Sequence, residues 1–395
     1  MSKTKRFDAG IGFMKHFRWF SLFLFLVHHL TVFSQTEIPE EDVAFEVGMS
    51  YTADVVTNFS GGIKKGNAFL GLIELDLGFD TEKARLWKGG QFFIKASNTH
   101  GDEPSATLVG DIQMASNIEA GNHTYFQEMW FKQVIRNFEL TIGLQDLNVE
   151  ITSMAYGEVF LNSSFGVLPI ISLNLHAPIY PLTSLGITTK WNFYEKMAWL
   201  NAIYDGTPTD FTENPYNLRW KFNAGDGLLM ISEFQNMLTL NGLLGVYKVG
   251  VFAHNHFIER AIVNDFPDSL NTNTAGAYLS YEQQILSANS KEINAFIHGG
   301  YSPSEVSLNH IYIGAGMGFS GFFSKKNNET LGVSGGWAKL NHGMGHESMI
   351  ELSWKKQIAE FFYLQPDFQY IIHPGGSQSG LKNAFVGILR FGLEI

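Results

Sequence analysis

The chain has 395 residues, no cysteine, 16% charged residues and a formal net charge of −11. Without cysteine it forms neither disulfides nor thiolate metal sites, and its acidity repels a phosphate backbone, so nucleic acid is not an expected partner. Forty Gly and 34 Phe against 11 Pro favour many strands joined by tight turns over a helical protein.

Residues 1–34 hold five basic side chains (Lys3, Lys5, Arg6, Lys15, Arg18) and one acid, Asp8. Removing them leaves 27 − 5 = 22 basic and 38 − 1 = 37 acidic residues, a balance of −15. Trp19 to Phe33 reads WFSLFLFLVHHLTVF, an apolar stretch interrupted by His28 and His29. A basic start, a short apolar middle and an exit at Val32-Phe33-Ser34 predict a secretory signal over 1–34. Those 15 residues fall short of the roughly 20 that a spanning helix requires. Met14 offers a second start, and the mature chain, 35–395, opens on the polar QTEIPEED. No later segment has a long apolar run, so a membrane form has to be a closed barrel, the other structure that satisfies every backbone group in hydrocarbon.

Side chains alternate across a strand, and the chain alternates repeatedly. Phe45, Val47, Met49, Tyr51, Ala53 and Val55 oppose Glu46, Gly48, Ser50, Thr52 and Asp54. Phe69, Ile73, Leu75, Leu77 and Phe79 oppose Glu74, Asp76 and Asp80, and Phe138, Leu140, Ile142 and Leu144 oppose Glu139, Thr141 and Gln145. Leu185, Ile187, Trp191 and Phe193 oppose Thr188, Lys190 and Asn192. Ile311 to Phe319 sets an apolar row against Tyr312, Gly314, Gly316 and Gly318. The pattern returns at Ile350–Trp354, at Phe362–Tyr370 and at Phe385–Ile395, where Arg390 and Glu394 face the other way. Segments of about ten alternating residues, many ending in an aromatic, are the mark of an outer-membrane barrel. A soluble sandwich would need a dry core, and the polar rows are too rich in charge and amide for one. They call for a water-filled lumen. Connections sort into short ones, Arg136-Asn137 and Glu195-Lys196, and long ones, 98–123, 147–181, 205–218 and 255–273, as at the two ends of such a barrel. The expected fold is all-β, a transmembrane antiparallel up-and-down β-barrel.

Several stretches, in order, resemble the carbohydrate-selective porin (OprB) family. They are Asn117-Ile-Glu119-Ala with Glu128-Met-Trp130-Phe-Lys-Gln133, Leu140-Thr-Ile-Gly143-Leu-Gln-Asp146-Leu, and Leu161-Asn162-Ser163-Ser164-Phe165-Gly166. Tyr180-Pro181-Leu-Thr-Ser-Leu-Gly186 and Gly225-Asp-Gly227 with Glu233 follow. The most specific match is Leu364-Gln365-Pro366-Asp367-Phe368-Gln369-Tyr370 with His373-Pro374-Gly375-Gly376. The resemblance runs from about Tyr51 to the end and implies a single 16-stranded barrel that admits sugars across the outer membrane. The closing Ile395 departs from the Phe on which many such barrels end.

A pore selects at its narrowest ring. Loop 147–181, with Asn148, Glu150, Glu158, Asn162 and Ser164, is the first candidate to fold inward, with a place on the outer rim as its competitor. Asp146 stands at its start. Glu128, Trp130 and Lys132 share one strand face and suit a sugar, unless Trp130 is an interface aromatic. Arg219 and Lys221 form a weaker wall pair. Gly316-Met-Gly318-Phe-Ser-Gly321 spells a dinucleotide fingerprint and Gly332-Val-Ser334-Gly-Gly336 a nucleophile elbow, but both lie in strand patterns without the helix either needs. His342, His346 and Glu347 read as a solvated loop rather than a metal site. No convergent nucleophile, base and orienter emerges, so no enzyme, cofactor or metal is expected. The expected partners are permeating sugars and outer-membrane lipid, and a homo-oligomer is compatible with the pattern. A general diffusion porin is the competing function. A plugged, energy-coupled receptor would need a plug domain ahead of the first strand.

The three glycines on one face of 311–319 thin the wall and would let an inward loop approach. Replacing Gly316 with Leu is expected to narrow the single-channel conductance; an unchanged current would refute this.

Overall fold

The computed structural model describes residues 43–221, 225–258, 270–303, 307–324 and 328–395. The expected export signal lies outside them. Phe45–Ile395 forms one unit, a closed barrel in which each strand pairs with its sequence neighbours and the last with the first. The strands are β1 Phe45–Gly62, β2 Gly66–Asp80, β3 Gly90–Gly101, β4 His123–Ile135, β5 Phe138–Gln145 and β6 Ser184–Tyr194. There follow β7 Met197–Asp205, β8 Leu228–Leu240, β9 Leu243–Ile258, β10 Leu270–Ala288 and β11 Lys291–Tyr301. β12 Asn309–Ser320, β13 Glu329–Leu340, β14 Gly345–Ala359, β15 Phe362–Ile372 and β16 Lys382–Glu394 complete the wall. All pairings are antiparallel, and β1 closes on β16 from Ser50 opposite Glu394 to Gly62 opposite Lys382. Closure leaves no edge, which is what a sheet in hydrocarbon requires.

The up-and-down order puts alternate connections at opposite ends. At the end that holds β1's start and β16's finish, the chain turns at 136–137, 195–196, 241–242, 289–290 and 360–361. Asn241 and Gly242 turn with φ of 53° and 81°, as a two-residue hairpin needs. The opposite end carries 102–122, 146–183 and 206–227. The expected 136–137 and 195–196 turns are therefore found as read. The expected 255–273 connection falls mostly outside the described residues.

Outward rows are apolar and exposed: Val47 is 73% exposed, Leu75 50%, Ile187 49%, Val249 57% and Ile350 54%. A barrel in water would hide them; one in lipid presents them. Toward the end with the short turns, aromatic rings meet across strands, Phe45 with Phe79 at 4.6 Å and Phe92 with Phe131 at 4.7 Å.

Glycine and aromatic residues pair directly across strands on the inner wall. Tyr204 lies over Gly186, Tyr278 over Gly250 and Tyr363 over Gly392. A Cβ on those glycines would fall 2.1–2.2 Å from the ring, so the missing side chain is what lets each ring lie against the sheet. The stripe at Gly314 and Gly316 works the same way. Its space is taken by Tyr312 and His298, and by Phe296 at 2.6 Å, rather than by a loop backbone. Phe296 in turn packs on Phe160 and Phe165, at 5.7 and 5.6 Å. Direct loop-to-glycine contact occurs elsewhere: Phe160 over Gly332 and Ile170 over Gly300.

The expectation that the inward polar rows face water needs correction. Two connections, 102–122 and 146–183, enter the lumen, and the wall carboxylates bind them. Glu351 Oε1 accepts from Leu161 N at 2.5 Å, Glu233 Oε2 from Thr152 N at 2.9 Å and Glu282 Oε1 from Tyr156 N at 2.7 Å. Glu347 accepts from Ile112 N and Gln113 N in one loop and from Gly375 N beyond β15. Asp54 receives Ser116 Oγ at 2.7 Å and the Arg390 guanidinium at 2.7 and 2.8 Å. Bonds to charged groups contribute about 1.5–3 kcal/mol each, while ordering a residue's backbone costs roughly 1–2 kcal/mol. The carboxylates therefore fix position, and apolar burial has to supply the rest. Parts of the inner wall are apolar for this reason. Val56, Leu70, Leu72, Val386 and Ile388 pack with Leu108, Val109 and Ile118, and Leu200, Leu229, Ile231 and Phe252 pack with Leu168, Ile170 and Ile171.

Loop 102–122 also buries its own acids. Glu119 accepts from Ser105 N at 3.1 and 3.2 Å, yet burial lifts its carboxyl to about 7. A raised folded-state pKa favours the protonated form, so Glu119's contribution is full below pH ~4.5 and lost as pH rises through 7. Protease protection of this loop is expected to fall between pH 5 and 8, and less so in Glu119→Gln. An equal fall in both proteins would remove Glu119 as the cause.

Candidate functional site

The inward loops divide the interior. On the side of the long connections they enclose a cavity of about 460 Å³, lined by Gln113, Asn117, Glu119, Asn148, Ser164 and Tyr180 among others. That lies within the ~300–1,000 Å³ range of small-molecule sites. Against β4 to β7 lies a second space of about 50 Å³, bordered by Glu128, Trp130, Lys132, Asp146, Glu150 and Tyr204, with room for a few waters only. The segment from Asp146 to Glu150 borders both: Asn148 faces the larger cavity, while Asp146, Leu147, Val149 and Glu150 face the smaller.

Asp146 follows β5 and begins the inward connection. It accepts from Asn148 N at 2.9 Å, from Gln127 Nε2 at 3.2 Å and from Tyr180 N at 3.1 Å. Burial raises its carboxyl above the ordinary value against those bonds. Leu147 N donates to Pro178 O at 2.8 Å, tying the two ends of the loop. Asn148 donates to Thr152 Oγ1 and Gly166 O. Lys248 Nζ holds the Ser153 carbonyl. Segment 146–153 is thus a strap fastened to β4, β8 and β9.

Beneath it, Glu150 pairs with Lys132 at 2.6 Å and Lys190 at 3.6 Å, and Lys132 also reaches Glu139 at 3.9 Å. Burial alone would raise the Glu150 carboxyl, but the two ammonium groups outweigh it and hold it below its ordinary value. Trp130 faces inward, opposite Phe93 and Gly143, so it is not an interface aromatic. Its indole donates to Glu128 Oε2 at 3.0 Å, and the Lys132 ammonium sits 5.3 Å from its ring centre. On the next strand Lys95 pairs with Glu74 at 3.5 Å and Asp76 at 3.9 Å.

The sequence candidates therefore divide. Glu128, Trp130, Lys132, Asp146 and Glu150 come together at one space, and Asn148 borders the other. Asn162 is buried, receives Ser164 N and donates to Gln369 Oε1 at 3.1 Å, so it pins the loop to β15. Arg219 is a correction: it lies outside any strand, in connection 206–227, exposed, its guanidinium 3.5 Å from the Glu213 carbonyl. Lys221 is exposed in the same connection. Neither belongs to the wall. The motif reading missed Lys190, the inward course of 102–122 and the wall carboxylates as loop acceptors. Parity does mark Lys190 and Glu351 as inward, and that was the available signal.

A family profile described as carbohydrate-selective porin, OprB family, matches residues 64–394. The chain belongs to that family. Among solved structures, Pseudomonas putida OprB at high pH aligns with a TM-score of 0.80 and 16% identity over 89% of this chain and 94% of that one. Vibrio cholerae OmpT, in a form described as a trimer, aligns at 0.52 and 8% identity over 89% and 99%. Salmonella typhi OmpF in complex with daunomycin aligns at 0.55 and 7% over 91% and 100%. No curated protein matches in sequence. The chain is thus a carbohydrate-selective channel of the bacterial outer membrane and not an enzyme, and the count of 16 strands implied by the resemblance agrees with the barrel.

Exposed ion pairs contribute little, but half-buried ones set local charge. Converting Glu150 to Gln would leave Lys132 and Lys190 facing the lumen without their shared partner. Selectivity is expected to shift toward anions, read as a change in zero-current potential across a KCl gradient. An unchanged potential would place Glu150 away from the ion path.

Proposed function

We propose that neutral sugars enter the 460 Å³ cavity and displace the waters of the 50 Å³ space beside Trp130 as the strap shifts to admit them, with Lys132, Glu150 and Lys190 engaging their hydroxyls. The carrying observation is charge pairing at an aromatic. Each of Lys95, Lys132 and Lys190 sits with a carboxylate, so the site offers donors and acceptors side by side to a solute's hydroxyls. An indole beside them suits the apolar face of a pyranose. Asn148 and Asn117 offer amides on the approach, and Asp146 holds the strap rather than the solute. We further infer export by the signal over 1–34, contact of the outward rows with outer-membrane lipid, and self-association of the barrel, in keeping with the trimer form described for the Vibrio cholerae neighbour.

Liposome swelling with sugars against size-matched amino acids tests the reading. Sugars are expected to enter faster, and Trp130→Ala to weaken block of the current by an oligosaccharide. Equal swelling rates would make the channel a general diffusion porin.

A further inference from the structure

At the end with the long connections, two histidines meet on the outer side of the rim. His346 lies near the start of β14 on the row of the exposed Ile350, whereas its neighbour Glu347 is buried. The register sets Ser348 opposite Ile372, so a continued β15 would place His373 opposite Glu347, facing the lumen. β15 ends at Ile372 instead, and His373 takes a left-handed φ of 57°, which histidine adopts more readily than most residues. Its backbone is fixed there: His373 N donates to Asn383 Oδ1 at 3.1 Å, and its carbonyl accepts from Gly376 N at 2.9 Å. The imidazole meets that of His346, with Nδ1 of His373 3.3 Å from Nε2 of His346.

As a hydrogen bond this contact is long, since N–H donors lie about 2.9–3.0 Å from their acceptors. It is also bent. A straight N–H···N bond would set the ring centres a full ring diameter further apart than the nitrogens, and at 4.9 Å they are too close for that. A shared metal ion fits the spacing better. Bonds of about 2.0–2.1 Å to zinc, meeting near the tetrahedral angle, put two imidazole nitrogens roughly 3.3–3.4 Å apart.

We propose that His346 and His373 form a two-ligand site for a divalent ion that favours imidazole nitrogen, with Zn²⁺ as its type. Among the described residues no set of three or more His, Asp or Glu side chains is placed to hold a metal, so water fills the remaining positions. Both rings are half-buried and open to solvent, and Lys339, opposite His346 on β13, is exposed. Glu347 takes no part, because its carboxylate accepts from Ile112 N, Gln113 N and Gly375 N. His342, the other histidine of this stretch, is exposed in the turn before β14, and the ring contacts of His346 are with His373 and Trp337. The ion clips the start of β14 to the connection after β15, beside the carboxylate that seats loop 102–122.

The full-length chain, purified without a histidine tag and stripped with a chelator, is titrated with ZnCl₂ in detergent. A single Zn²⁺ per chain is expected to bind and to raise the unfolding temperature, while Mg²⁺, which prefers oxygen ligands, does neither. His346→Gln and His373→Asn are each expected to lose both effects, and His342→Gln to keep them. Asn tolerates the left-handed backbone at 373, and heat-modifiable gel mobility checks that each barrel is folded. In the unsubstituted chain, Zn²⁺ is expected to protect His346 and His373, but not His342, from diethyl pyrocarbonate, read by mass spectrometry. Binding that survives His346→Gln, binding lost with His342→Gln, equal protection of all three rings, or no binding by the parent chain would each overturn the site.

Discussion

A loop that enters a barrel carries its N–H groups away from bulk water, and each needs an acceptor. In this chain the acceptors are carboxylates on the inner wall. Glu233 on β8, Glu282 on β10, and Glu347 and Glu351 on β14 each take backbone N–H groups from an inward loop. The arrangement solves two problems at once. A carboxylate on a crowded inner wall would be costly without donors, and a loop backbone without acceptors would be equally so. The strap from Asp146 to Ser153 is one place where the two needs meet, with Thr152 N on Glu233.

Carboxylates alone would tether the loops without giving them a shape. Shape comes from packing against glycine-thinned parts of the wall, where Phe160 rests on Gly332 and Ile170 on Gly300. Elsewhere the same economy of volume lets Tyr204, Tyr278 and Tyr363 lie flat over glycines on neighbouring strands. The many glycines and phenylalanines are thus two halves of one device. A ring needs an empty place to lie against, and in a barrel of fixed circumference that place has to be made by removing a side chain. Lipid meets the other surface of the same strands, so a one-residue register slip would expose wall carboxylates to hydrocarbon.

The wall was legible because period-two alternation is a local property: Phe45 to Val55 or Phe362 to Tyr370 declares its two faces without reference to any other segment. The turn at 136–137 was legible for the same reason. Parity also placed Glu128, Trp130 and Lys132 on one inward face, since a strand offers two choices. It failed for Arg219, which lies in an irregular connection where parity has no meaning. It was silent on Glu150 with Lys190 and on Glu351 with Leu161, because those meetings depend on which loop folds inward and where. The reading of the inward rows as wet failed for a related cause. A polar residue on the inner wall looks the same in sequence whether its partner is water or the backbone of a loop.

The ion pairs beneath the strap bear on selection. Lys132 and Lys190 converge on Glu150, and Lys95 on Glu74 and Asp76, so positive groups at this level sit within reach of negative ones. A permeating ion would have to compete with pairs already formed, and its own hydration would be lost in a narrow space. On the path proposed above, a neutral polyol would meet a lower barrier, because it could exchange hydroxyl bonds with either partner of a pair while its carbon face lay along Trp130. Discrimination on that path would rest on what is already satisfied: hydroxyls can join bonds that an ion would have to break.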